Sequence, residues 1–293
     1  MSMRFAQNAQ RAVPPVPSGP APLCDACKHW GWIRNFPGES SGVFVNSLGN
    51  DLSGKVCILH QRSSPKSPIL QNEAIRLKLQ DGDLNFDGAY ITTSFGFHEE
   101  AVNASFQRAY FEAKVECQRI SFSGSANFAH ANFSGGVDFE DAIFSYSAMF
   151  HRAVFGKPTS FRNAVFREEA DFSFTTFLGS TEFVNTTFSG DGIFRKAKFD
   201  GTIRFEKLNK EIDSNGAPLD RMPLMDFSYI NLTAPELLNF NDVNMENVRT
   251  VGTNLIDVDF TNVRWPERLY DTRTAEPKEY PSVEKHCRLL RKL

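Results

Sequence analysis

The chain has 293 residues and is 41% hydrophobic, enough for one large core or two smaller ones and far from disordered or collagen-like compositions. Its formal net charge of -3 and pI near 6.1 offer no basic field for nucleic acid or anionic lipid, so direct nucleic-acid binding is not expected. No run of about 18 apolar residues occurs, and Met1 to Pro22 lacks the apolar stretch of a secretory signal, so the expectation is a soluble, cytoplasmic chain without a membrane span.

In chain order, residues 1–22 are rich in Pro, Ala and Ser and are predicted to be a disordered leader. Residues 23–83 are predicted to form a small N-terminal cap. It holds Cys24, Cys27, Cys57 and His60, a C-x2-C-x29-C-x2-H arrangement. Each half presents two soft or imidazole donors at the spacing a tight turn needs to aim both at one ion, and four such donors complete a closed tetrahedral Zn2+ site. The plainer alternative is that three cysteines and a histidine merely pack in a small cap. An odd count of five cysteines also favours a reducing compartment over a disulfide framework. Four ligands leave no open position, so zinc here is expected to be structural and not hydrolytic. His29 is a substitute ligand within reach, expected to be exposed. Pro65 to Leu79 has weak helical spacing.

The region 84–205 is dominated by one residue. The chain has 28 Phe against 6 Tyr and 3 Trp, where a mixed core would spread its volume over Leu, Ile and Val. From position 106 to 205, Phe recurs at spacings that settle into alternating six and five, with Cys117 filling the one gap in register. Neither a helix, with apolar residues at 3, 4 and 7, nor a strictly alternating strand gives that period. Two residues before most slots stands a small or slender residue, such as Ala104, Ala126, Ala148 and Ala170. Positions two apart on an extended segment face the same side, so each unit is a short strand with one small and one large residue inward, then a corner. Four sides of 5, 6, 5 and 6 close a square coil of 22 residues. The rings then fall into columns, among them Phe106, Phe128, Phe150, Phe172 and Phe194. Upstream the register is predicted to continue through Leu84, Tyr90, Phe95 and Ala101.

The segments Ala126-Asn127-Phe128, Ala131-Asn132-Phe133, Val137-Asp138-Phe139 and Ala170-Asp171-Phe172 fit the tandem signature A-(D/N)-(L/F)-x-x. In this the chain resembles the pentapeptide-repeat family, which implies an all-β fold, a right-handed quadrilateral β-helix. A bacterial subfamily is similar also in a Cys pair followed by a C-I-x-H element, here Cys57-Ile58-Leu59-His60, and in the run from Val243 to Trp265.

Residues 206–224 are polar with Gly and Pro and are predicted to loop out. A second block, 225–265, is predicted as coils of 20 residues with Ile230, Phe240, Met245, Leu255, Phe260 and Trp265 inward, and Pro235 and Thr250 as imperfect occupants. Residues 266–293 are predicted to be a tail and a C-terminal helix from Pro281, with Val283, Cys287 and Leu290 on one face.

No catalytic constellation emerges. His98, His130 and His151 lack a paired nucleophile, Cys117 sits in a core slot, and the acidic pairs Glu99-Glu100, Glu140-Asp141 and Glu168-Glu169 are consecutive, so their side chains diverge. The leading expectation is a non-enzymatic rod that serves as a protein-interaction scaffold. The family resemblance implies an alternative, a DNA mimic acting on a type II topoisomerase, but residues 84–205 carry 14 Asp and Glu against 11 Lys and Arg, a difference of only -3. A further alternative is a regulatory module linked to a membrane protein through the terminal helix. The protein partner is not named by the sequence, and a homodimer is left open.

Overall fold

The computed structural model describes residues 24–31, 40–46, 50–62, 67–96, 103–208, 222–265, 269–271 and 278–280. The predicted leader, His98, Glu99-Glu100 and the predicted C-terminal helix with Cys287 lie outside the described residues. No helix among the described residues is long and apolar enough to cross a membrane.

From residue 84 onward the chain winds into a four-sided stack of parallel strands. Sides one to four carry seven, seven, eight and four strands, each hydrogen-bonded to the equivalent strand one coil away. On side two, Phe111, Phe133, Phe155, Phe177 and Phe199 are register partners at 22-residue intervals. Side one carries Ala104, Ala126, Ala148, Ala170 and Gly192 in the same way.

Each two-residue strand repeats one logic. Ala126 is buried, Asn127 faces out and Phe128 is buried. The outward Asn or Asp is not idle: Asn127 Oδ1 accepts a hydrogen bond from Ala129 N at 3.0 Å, Asp138 Oδ1 one from Glu140 N at 3.0 Å and Asp171 Oδ1 one from Ser173 N at 2.8 Å. These bridges bend the chain at the corner, which is the physical reason for the D/N position of the repeat.

Inside, the rings stack. Side-one centroids lie 5.0, 4.9, 4.7 and 4.8 Å apart from Phe106 through Phe194, with interplanar angles of 0 to 4°. That spacing follows from the parallel ladder, about 4.8 Å between strands, and matches the offset stacking that aromatic rings favour. Rings from adjacent sides meet edge to face, as Phe150 does with Phe161 at 86°. Where Thr replaces Ala in the slender slot its hydroxyl finds a carbonyl: Thr175 Oγ1 donates to Phe150 O at 2.8 Å and Thr186 Oγ1 to Phe161 O at 2.7 Å.

At both ends the register differs from the sequence expectation. The first coil is 20 residues, pairing Tyr90 with Tyr110 and Phe95 with Val115. Its large core residues are therefore Phe86, stacked on Phe106 at 5.5 Å, and Ile91, while Tyr90 turns outward to stack on Tyr110 and Phe95 takes a slender-residue slot. Beyond Phe205 the columns resume with Phe227 stacked on Phe194 at 4.9 Å and with Leu232 opposite Phe199. Ile230 thus occupies the slender slot, not the centre. The pairing of Met225 with Val248 spans 23 residues, and that of Phe240 with Phe260 spans 20. The extra residues lie at the Pro235–Leu237 turn. An antiparallel pair, Leu269–Asp271 with Lys278–Tyr280, follows.

Candidate metal centre

The N-terminal unit contains helix α1 (Asp25–His29), the hairpin β1–β2 (Ser40–Val45 and Asp51–Val56) and helix α2 (Pro68–Gln80). Cys24 caps α1, its Sγ accepting from Cys27 N at 3.3 Å, so the first turn itself brings the C-x2-C pair to one point. Asp25 Oδ2 accepts from Lys55 N at 2.8 Å and so holds α1 to the end of β2. Immediately after β2, a turn in which His60 N donates to Cys57 O at 3.0 Å brings the C-x2-H pair to the same point.

The sequence-derived quartet converges. The donor atoms of Cys24, Cys27, Cys57 and His60 all lie within 4.8 Å of one another, every one of the four residues is buried, and the group could hold a metal ion. Cys27 Sγ is 3.6 Å from Cys57 Sγ, and His60 Nδ1 is 3.5 Å from Cys57 Sγ and 3.7 Å from Cys27 Sγ. The other ring nitrogen, Nε2, is 3.2 Å from Asp87 O in the first coil. A carbonyl only accepts, so Nε2 carries the proton and Nδ1 presents its lone pair to the cluster, the arrangement of a metal-ligating histidine with an outer-shell partner.

Proton affinity is uneven across the cluster. Hydrogen bonds from Cys27 and Cys57 hold the Cys24 thiol far below its ordinary range. Bonds with Cys24 and Cys57, together with burial, drive Cys27 far up, and the Cys57 thiol is pushed up to about 11, chiefly by its bond with Cys24. Burial lowers the His60 pKa, which keeps the imidazole neutral. One negative charge fits without an ion; more would require one.

His29 is exposed and packs edge-on against Trp30 at 5.3 Å, away from the ligand role. Cys117 is buried in its column, and burial pushes its thiol upward, which makes it a poor nucleophile. His130 and His151 lie on adjacent layers at one corner, 5.9 Å apart.

Sequence reasoning missed the residues that fasten this unit to the rod. Gln71 is fully buried on α2. Its Nε2 donates to Tyr90 O at 3.0 Å and its Oε1 accepts from Thr92 N at 2.8 Å. Lys78, 1% exposed, donates to Asp83 at 2.5 Å and lies 5.3 Å from the Phe86 centroid. Burial lowers its pKa, opposed by Asp83. Trp30 covers Gly88, and its carbonyl accepts from Asn85 Nδ2 at 3.1 Å. A signal did exist: Gln71, Ala74, Ile75 and Lys78 stand at i, i+3, i+4 and i+7, an inward helical face carrying two polar residues that need partners.

Comparison with protein families matches residues 118–165 and 161–207 to pentapeptide repeats (nine copies). Comparison with curated proteins and with solved structures finds no match.

Proposed function

Because this chain belongs to the pentapeptide-repeat family, we propose that it is a non-enzymatic, rigid protein-interaction scaffold whose N-terminal unit is locked by a structural Zn2+ ion. The carrying observation for the scaffold is the interior: Phe106, Phe128, Phe150, Phe172 and Phe194 fill one column ring on ring, with side chains at most 1% exposed. A tube packed to that degree has its chemistry on the outside, where short strands present one residue each in ordered rows. Capture of partners by cross-linking in cells tests it. The scaffold predicts cross-links at outward positions, lost on substitution of one side while the circular dichroism stays unchanged. Capture of no partner would sink it.

For the ion, metal–sulfur bonds of about 2.3 Å and metal–nitrogen bonds of about 2.0–2.1 Å around a tetrahedron give edges of about 3.8 Å and about 3.6 Å. The separations of 3.6 Å between sulfurs and of 3.5 and 3.7 Å from sulfur to nitrogen support that geometry. Three thiols and an imidazole are a zinc-selective donor set that leaves no place for water or substrate. When bound, zinc supplies a cross-link between the start of α1 and the turn after β2; Asp87 then orients His60 from the first coil. The purified protein should carry about one equivalent of zinc, and Cys27→Ser or Cys57→Ser should bring it below about half an equivalent. Full-length protein that folds with no bound metal would overturn the zinc reading and leave the scaffold untouched.

A further inference from the structure

Two alternate corners of the coil hold non-glycine residues in left-handed backbone, one per layer. Between sides three and four they are Arg119, Asp141, Asn163, Asn185, Lys207, Asp242 and Asn262, with φ between 53° and 59°. Most are Asn or Asp, which take this conformation most readily. Between sides one and two they are Arg108, His130, Arg152, Phe174, Lys196 and Tyr229, with φ between 56° and 59°. In these six layers neither Gly, Asn nor Asp stands there, although Gly88 and Gly252 take the same corner in the layers at either end, so large cationic and aromatic side chains line its middle, where folding alone would select against most of them.

The corner is continuous. Arg108 N donates to Ala129 O, His130 N to His151 O, Arg152 N to Ser173 O and Phe174 N to Arg195 O, at 2.8 to 3.0 Å. The ring of Phe174 is 41% exposed and has a cation over it from the layer before and the layer after, Arg152 and Lys196, each 5.2 Å from the centroid. Arg152, Arg195 and Lys196 are exposed and have no carboxylate partner among the described residues. On other faces Arg162 pairs with Glu182 at 3.1 Å and Arg204 with Glu206. Asp171 comes near the corner, 3.7 Å from His151.

We propose that this corner is a ridge that docks an extended acidic segment of a partner protein, whose carboxylates are taken up in file by Arg108, Arg152, Arg195 and Lys196. The proposal rests on the scaffold reading and names the chemistry of its partner. Arg108 and Lys196 are four layers apart, about 19 Å at 4.8 Å per layer, which about six residues of extended chain span. Single-stranded nucleic acid fits less well. Bases would need the faces of Phe174, which the two cations already cover.

The test is fluorescence anisotropy of the full chain at about 0.15 M salt with three probes: an oligoglutamate peptide of about eight residues, an oligoglutamine of equal length and an oligothymidylate. Oligoglutamate should bind, oligoglutamine should not, and R152Q/R195Q should weaken the former about tenfold. R162Q/R204Q, on side three, should leave it unchanged. Equal loss in both double variants, equal binding of oligoglutamine, preference for the oligonucleotide or no binding at all would each overturn the ridge. If R152Q/R195Q fails to fold, R108Q/K196Q is read in its place. A wild-type chain that ignores oligoglutamate but still captures partners by cross-linking overturns the ridge alone.

Discussion

Phe150 and Phe174 are the same residue with opposite prospects. Phe150 has rings on both faces, Phe128 at 4.9 Å and Phe172 at 4.7 Å, and no exposed surface. Phe150→Ala should cost about 3–5 kcal/mol, read as a drop in the urea midpoint. Phe174, 41% exposed and left-handed, should tolerate Asn within about 1 kcal/mol in the same experiment. Period alone tells them apart, since 174 falls outside the six-and-five rhythm. Gly88 is a different kind of position. With φ at +67° and Trp30 Nε1 2.1 Å from where a Cβ would stand, Gly88→Ala should expel the indole, seen as red-shifted tryptophan emission. That constraint could not be read from the sequence, because it joins two residues 58 positions apart across an interface that the repeat does not describe.

At the level of elements, the N-terminal unit and the first coil share the same atoms. Tyr90 N donates to Leu59 O at 2.6 Å, beside the Asp87 contact to His60. Chelation should therefore accelerate hydrogen exchange at the amides of residues 86–91 while leaving the middle coils protected. Acid should act in the same direction. The metal-free thiols of Cys27 and Cys57 are raised, so both hold protons at neutral pH and zinc must displace them. Apparent affinity then falls as pH falls, measurable by competition with a chelator. The convergence of Cys24, Cys27, Cys57 and His60 was legible because cysteine is rare and its spacing is tied to geometry. Register at the ends was less so. Ile230 is apolar and follows the slender Ser228 by two positions, which fits a central residue, yet Phe227 and Leu232 hold the column. Likewise Leu84 and Phe95 fit a 22-residue extrapolation that the first coil, at 20, does not follow. Terminal layers meet a cap on one side and so escape the packing demand that enforces the period.

For the molecule as a whole, stability is a sum over layers and their contacts, so a whole layer should be removable. Deleting residues 140–161 joins Phe139 to Arg162 and restores every column; the product should fold, shorter by about 4.8 Å. Deleting residues 140–159 puts Phe161 two places after Phe139 and should abolish cooperative unfolding in calorimetry. The fold was legible at this scale because one slot is filled by one residue type many times over. The corner ridge was not, because Arg108, Arg152 and Lys196 lie 44 positions apart in succession and read as scattered surface charge until the coil aligns them.

Along each two-residue strand, inward and outward side chains alternate, as in Ala126, Asn127 and Phe128. Two texts are thus interleaved in one chain, one read by neighbouring layers and the other by whatever the rod meets. Because almost no side chain belongs to both, the outer text can be rewritten line by line without disturbing the inner one, and the same pillar can come to serve a new acquaintance.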